Sequence, residues 1–505
     1  MRFVFRRMDA CPTDGNHGWN TELPLSFRIG DAAAARLKEV HPFVGFAPLF
    51  AWHFCFWFAP TAAPFTDLLS ADTTASWLAY LATSVGTLLI AAFVLGNKRR
   101  LRSDGRMYAL APMMLGVLSL ASSYGPLVFD GPLQRFVIPM MLGAVESYCF
   151  LLWGERLSSL SYRGTSTDAV VAVAAVVVAA FVAAMVLPGP VTAVFVALLP
   201  VLSGFALVRE GEGERGEPSV LKPRAVRKRA DRNIAVVSGI SATTCAACFF
   251  LLTIIPSHDL IGGDWAYGYG LVAGTLAILL ASAVVGVLSK ADNPFRIIPW
   301  LLVMVLVAFA LFLGLRGKAN GFSFFFTTLV YSSFELLLMV YFVVVAQKGA
   351  ASSAIAIGVS LGLFRLGVLA GDSVSISLES AGLEVSTLVD LMASICLCVV
   401  AVLLLPFVSE GRYMETLTKE TADIGGEALA KACDDTAKEF GLSPREREVL
   451  ELIVRGYAVD NMAEKLVISP HTVRAHIRHV YEKTQMHKKS VLIGYVMEQT
   501  SHYEG

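Results

Sequence analysis

Residues 471–484, HTVRAHIRHVYEKT, carry Arg474 and Arg478 one helical turn apart, with the small Ala475 between them. On a helix these three share a face. Two guanidinium forks beside a side chain that admits close backbone approach suit guanine O6 and N7 in the major groove of double-stranded DNA. Val473, Ile477 and Val480 fall at i, i+4 and i+7, so another face is apolar and must pack on neighbouring elements. Thr472 near the start of this helix, and Lys488 and Lys489 beyond its end, are placed for phosphate oxygens rather than bases, and Ser469, which opens the helix, completes the DNA-binding set. His471, His476, His479 and His487 crowd the same region. Without an accompanying cysteine or acid pattern they read as polar contacts, and no metal site is expected.

The elements that must position this face are legible upstream. Ser443, Pro444 and Glu446 form a capping box with proline at the first helical position, which predicts a helix starting there. Val449, Leu450, Ile453 and Val454 recur at helical spacing, and Gly456 supplies the residue that ends the helix. A second helix runs to about Leu466 with Met462, Ala463 and Leu466 as its buried side, and Ser469-Pro470 repeats the cap-plus-proline signal for the third.

The stretch GLSPREREVLELIVRGYAVDNMAEKLVISPHTVRAHIRHVYEKTQ (441–485) resembles the LuxR-type helix-turn-helix family, and the resemblance continues to about Val496. It implies a four-helix domain in which the positions of Arg474, Ala475 and Arg478 approach base edges. It further implies that the last helix, from about Ser490 to Glu498, mediates dimerisation, so that a homodimer binds paired half-sites. One departure stands out. Where the family has a Ser or Thr cap opening the second helix, this chain has Ala458, Val459 and Asn461, although Asp460 is able to cap a helix begun two residues later. A lost cap costs about 0.5–2 kcal/mol.

The rest of the chain has a different chemistry. Hydrophobic residues make up 55% and charged residues 16% of the 505 positions, with a mean hydropathy of +0.62; these values belong to a protein that is mostly in the bilayer. Twelve apolar segments have spanning length: 43–63, 76–96, 107–129, 135–153, 169–187, 190–208, 234–255, 266–288, 297–315, 323–346, 354–370 and 384–408. Residues 1–42 hold no apolar core long enough for a cleaved signal peptide. Alternate loops on one side carry twenty-four Lys and Arg, including eight in the loop 209–233, against Arg316, Lys318 and the helix-edge Arg135 on the other. That asymmetry predicts a multi-pass protein of the cell membrane with both termini cytoplasmic. The loop 209–233 divides the spans six and six. In this, and in Gly96 with Asp104-Gly105-Arg106 and in GVLSKAD (286–292), the membrane part resembles the major facilitator superfamily, which implies two similar halves.

Glu146, Glu335 and Arg365 lie well inside predicted spans, where each charge costs about 2.5–3.5 kcal/mol on insertion scales. Either they line a cavity for a small-molecule or ion ligand, or Glu335 and Arg365 neutralise each other as a structural pair, the simpler arrangement. His53 and Asp390 are weaker candidates. Six of the eight cysteines sit in apolar spans and read as packing residues, Cys245 and Cys248 included. The basic run 224–232 reads as an anchor beside a span.

The expected fold is therefore all-α: a cytoplasmic N-terminal tail (1–42), a twelve-helix transmembrane bundle in two sixes (43–408), a linker (409–440) and a four-helix DNA-binding domain (441–505). The second part of the linker, EALAKACDDTAKEF, reads as either a tether or a helix. No Walker loop, dinucleotide fingerprint or nucleophile with a positioned base occurs, so neither enzyme activity nor a cofactor is expected. The sequence leaves two functional classes standing. One is a membrane-embedded transcription regulator that senses an unknown stimulus; the other is a secondary transporter with a regulatory DNA-binding tail.

Overall fold

The computed structural model describes residues 25–59, 71–96, 106–128, 131–159, 166–212, 224–257, 298–315, 320–347, 351–380, 385–409, 426–454, 457, 459–486 and 489–501. Among these, the regular structure is helical throughout. The apolar part contains α1 (Leu25–Phe58), α2 (Ala71–Leu95), α3 (Met107–Tyr124), α4 (Ile138–Ser159), α5 (Ser166–Val186) and α6 (Gly189–Glu212). It continues with α7 (Arg224–Ser257), α8 (Ile298–Leu315), α9 (Asn320–Gln347), α10 (Ser353–Ser380) and α11 (Val385–Ser409).

Ten helices among the described residues are long and apolar enough to cross a membrane, and Pro42–Phe58 of α1 adds a shorter apolar stretch. The expected eighth span, 266–288, lies outside the described residues, so ten stand where the sequence predicted twelve. Two helices begin earlier than expected. α1 starts at Leu25, inside the segment read as a tail, and α7 starts at Arg224, so that it includes the basic run. The helices are apolar on outward faces too: Phe93, Val186, Phe205 and Trp300 are all highly exposed. Helices with apolar residues on every side, each satisfying its own backbone, are the solution that hydrocarbon demands.

Between such helices there is no hydrophobic driving force, and close contact depends on small residues. α10 illustrates this on two faces. Gly358 meets the Leu88 carbonyl and Ala92, and Gly362 meets Leu89, so this face packs on α2. Gly367 lies against Ala242 and Gly371 against Ala246, so the other face packs on α7. α10 thus lies between a helix that precedes the central polar segment and one that follows it. α9 is enclosed on all sides, with nearly every residue from Ser323 to Ala346 buried, and packs against α4, α5, α7, α8 and α10.

The C-terminal part contains α12 (Gly426–Glu439), α13 (Pro444–Val454), α14 (Val459–Leu466), α15 (Pro470–Thr484) and α16 (Lys489–Ser501). It has its own apolar core of Leu429, Ala432, Cys433, Val449, Leu450, Ile453, Met462, Val473, Val480, Leu492 and Val496. α12 packs against α13 and α16, so the second part of the expected linker belongs to this core.

A Cβ at position 371 would overlap the Ala246 carbonyl, whereas one at Gly239 meets nothing within 4 Å. Gly371→Leu is therefore expected to lower the thermal midpoint of the detergent-solubilised protein clearly, with Gly239→Ala close to wild type. Equal midpoints for wild type and Gly371→Leu would remove the close α7–α10 contact from this account.

Candidate functional site

The capping box at α13 is reciprocal. The Glu446 N–H donates to Ser443 Oγ at 3.3 Å, and the Ser443 N–H donates to Glu446 Oε2 at 2.7 Å. Glu446 does more than cap. It is 4% exposed and accepts from Lys483 Nζ at 2.7 Å, which joins the first helix of the module to the end of α15. Lys483 also donates to the Gly441 carbonyl at 3.2 Å. Burial alone would push the Glu446 carboxyl up, but the bonds from Lys483 and Ser443 outweigh it and hold the group at about 2, below its ordinary 4.5.

α15 opens as its sequence predicts. Ser469 is extended at the N-cap and its hydroxyl accepts from the Thr472 N–H at 3.1 Å; Ser469 Oγ and Thr472 Oγ1 lie 2.8 Å apart. Val473 and Val480 are fully buried, and Ile477 packs on the same core. Arg474 and Arg478 are exposed and Ala475 is half-buried beside them. The helix therefore has a docked apolar face and an outward face bearing the two guanidinium groups. His471 and His479 are exposed, His476 is half-buried, and His479 Nδ1 stands 3.6 Å from Glu446 Oε1. Lys489 is the first residue of α16. Lys488, His487 and Gly456 lie outside the described residues.

α14 begins at Val459, so Asp460 sits inside its first turn and is not the cap of a later helix. The turn into α15 uses Val467 at φ 54°, and the Ile468 N–H closes on the Ala463 carbonyl at 3.0 Å. The same closure ends α12, where Gly441 has φ 61° and the Leu442 N–H reaches the Ala437 carbonyl at 2.8 Å. Glycine takes this left-handed backbone freely; a β-branched valine does not.

Residues 441–496 match the model for the family described as bacterial regulatory proteins, luxR family. They form a LuxR-type helix-turn-helix domain. The chain is also similar to "Oxygen regulatory protein NreC" of Staphylococcus aureus strains JH9 and JH1. Each is 36% identical over 84 residues, a stretch that makes up 16% of this chain and 39% of the relative. The chain thus spans well under half the length of these curated relatives.

The second constellation is buried among the apolar helices. Arg365 on α10 forms a two-pronged pair with Glu146 on α4, Nη1 to Oε2 at 2.8 Å and Nη2 to Oε1 at 3.0 Å. Arg365 also donates to Ser84, and Tyr80 donates to Glu146. The expected structural pair is thereby corrected: the partner of Arg365 is Glu146, because α4 rather than α9 presents its carboxylate to the guanidinium. Glu335 is fully buried, and among the described residues neither of its oxygens has a hydrogen-bond partner; His53 Nε2 stands 3.6 Å away.

His53, a weaker sequence candidate, proves central. Its Nδ1 lies 2.9 Å from Glu146 and 3.1 Å from the Tyr80 hydroxyl, and its Nε2 lies 3.2 Å from the Tyr331 hydroxyl. Asp390 is exposed and outside this cluster. Asp372 was missed because the predicted span ended at 370. It is buried on the same α10 and accepts from Trp77 Nε1 at 2.7 Å and from Thr253.

Two outcomes are expected for the isolated segment 426–505. A carboxyl held below its ordinary value stabilises the fold above about pH 4.5, and that contribution is lost as pH falls toward about 2. Glu446→Gln should cost about 1–2 kcal/mol at pH 7, the low end reflecting the partly exposed Lys483, and flatten the decline between those pH values in urea titrations. An unchanged acid limb would contradict the Glu446–Lys483 link. Val467→Gly should stabilise the fold by up to about 1 kcal/mol, and so raise the urea midpoint, through relief of the left-handed backbone; a lower midpoint would show that the valine is not strained.

Proposed function

We propose that the protein is a membrane-embedded transcription regulator. In this reading the helical membrane part sits in the cell membrane with both termini cytoplasmic, senses a stimulus, and biases binding of a homodimer to double-stranded DNA through the C-terminal domain. The observation that carries the reading is one chain holding both a LuxR-type domain and, among the described residues, ten apolar helices of spanning length. Arg474, Ala475 and Arg478 supply the base-reading face of α15. Ser469, Thr472, Lys488 and Lys489 serve the phosphates, the first two by way of the helix start they cap. The loop asymmetry in Lys and Arg supports the orientation, since DNA is available on the cytoplasmic side.

A second reading, a secondary transporter with a DNA-binding tail, draws support from the buried pair Glu146–Arg365. The pair joins helices from the two sides of the central polar segment, where transporters of two-fold repeat architecture place their sites. Uptake by the purified protein in liposomes, abolished by Glu146→Gln, would favour it over the regulator.

The test of the regulator is crosslinking of the full-length protein to the genome, beside the Arg474→Ala/Arg478→Ala variant. Discrete sites lost in the variant are expected. On a site so found, Arg478→Ala should weaken binding by about 1–3 kcal/mol while leaving affinity for unrelated DNA nearly unchanged. Equal losses on all sequences would contradict direct readout by Arg478, and absence of discrete wild-type sites would contradict the regulator itself.

A further inference from the structure

His53 stands between two buried carboxylates carried by different helices. Its Nδ1 lies 2.9 Å from Glu146 Oε1, and its Nε2 lies 3.6 Å from Glu335 Oε2 and 3.2 Å from the Tyr331 hydroxyl. The network fixes one proton on this ring. Glu146 accepts from both terminal nitrogens of Arg365 and from the Tyr80 hydroxyl, the pattern of an ionised carboxylate, which accepts and never donates. Nδ1 must therefore carry the hydrogen that it shares with Glu146. The Tyr80 oxygen, its own hydrogen spent on Glu146, stands 3.1 Å from Nδ1 and accepts from the same N–H. That leaves Nε2 as the nitrogen free to take or lose a proton.

Two partners on α9 suit the two states of Nε2. Bare, it accepts from the Tyr331 O–H, which is in reach as the ring stands. Protonated, it has no lone pair for that hydrogen, but it faces Glu335, whose oxygens have no hydrogen bond among the described residues. Tyr331 precedes Glu335 by one turn, so one ring nitrogen chooses between neighbours on the same helix. A charge-assisted bond is about 2.8 Å long, so forming one draws Glu335 and α1 together by ~0.8 Å. The other charged groups nearby are committed: Arg365 on α10 to Glu146 and Ser84, and Asp372 to Trp77 and Thr253. His53 is 1% exposed, and in such a dry setting each of these bonds is strong.

We propose that His53 is a proton-binding switch, its Nε2 accepting from Tyr331 when bare and donating to Glu335 when protonated. The proton comes from water and returns to it, and no bond between heavy atoms changes. The inference rests on the reading of the membrane part as the sensing part and assigns the proton as its stimulus. Imidazole is the side chain that exchanges a proton most readily near neutral pH. The exchange moves α9 against α1, and α9 is packed against five other helices that must follow.

The test uses the full chain in lipid bilayers, with nitrogen-15 histidine side chains observed by solid-state NMR between about pH 5 and pH 9. His53→Gln identifies the His53 signals; should that variant misfold, they are the ones displaced by the two variants below. At the alkaline end an Nδ1–H ring is expected, with a second proton gained at Nε2 as the pH falls. Glu335→Gln should weaken that uptake by about tenfold or more, moving the transition to lower pH. Tyr331→Phe, a second route should the first variant misfold, should strengthen it by about 2- to 12-fold, because the bare nitrogen loses its donor. A merely structural histidine gives no such opposed shifts. An Nε2–H ring at the alkaline end, no second proton over the range, or a transition left in place by either variant would each overturn the switch. Genomic occupancy by the same protein separates the two readings. Discrete DNA sites without a second proton on His53 leave the regulator and remove the switch; proton uptake without DNA sites does the reverse.

Discussion

The pair between Glu146 and Arg365 constrains the membrane part more than any other contact, because neither charge is tolerable at that depth without the other. A guanidinium and a carboxylate lose their hydration on burial, and their attraction offsets that loss only when the geometry is good and the remaining hydrogen-bonding capacity is used. Here the contact is two-pronged, and Ser84, Tyr80 and His53 take up much of what is left. These groups come from α1, α2, α4 and α10, so satisfying one ion pair fixes four helices at once. Replacement of such a pair by apolar residues is often neutral or stabilising. What the pair supplies is therefore selection of one arrangement, in a bundle whose apolar faces would otherwise pack in several.

That constraint also explains what the sequence could and could not reveal. The capping box Ser443–Glu446, the cap at Ser469 and the division of α15 into a buried valine face and an exposed arginine face are local, set by spacing along a single helix. They were legible, as was the presence of many spans. The partner of Arg365 was not. Helical spacing says that Arg365, Glu146 and Glu335 lie inside spans, but which distant helix delivers its carboxylate depends on how α4, α9 and α10 cross. His53 seemed minor because a single histidine in a span reads as an interfacial or merely hydrogen-bonded residue; only the approach of α1 to α2, α4 and α9 gives it four polar neighbours. Asp372 was hidden by a boundary placed two residues too early, since apolar composition fades before α10 ends.

The C-terminal domain applies the same principle on a smaller scale. Glu446 is a buried carboxylate whose local partners come from its own cap and whose remote partner, Lys483, comes from α15. Its cost of burial is met within one domain and close to water. α12 then closes the core by placing Leu429, Ala432 and Cys433 against α13 and α16, with Arg447 to Asp434 at 2.6 Å along the edge. Composition alone left the second part of that linker as either tether or helix, because its charges are mixed. Its apolar residues recur at helical spacing, and they acquire meaning only once α13 and α16 are there to receive them.

Glu146 and Glu335 differ in a way that bears on sensing. A stimulus moves an equilibrium only through unequal affinity for two states. Glu146 is fully matched in the arrangement described and offers a ligand little to improve. Glu335 has no hydrogen bond to either oxygen among the described residues, and in a low-dielectric setting the free energy of such a carboxylate changes steeply when a positive group arrives or leaves. Small shifts at such a group translate into differences of several-fold in population, whereas apolar contacts between lipid-like surfaces differ little from one packing to another. The residue least satisfied by the fold is thus the one best able to report a change in its surroundings.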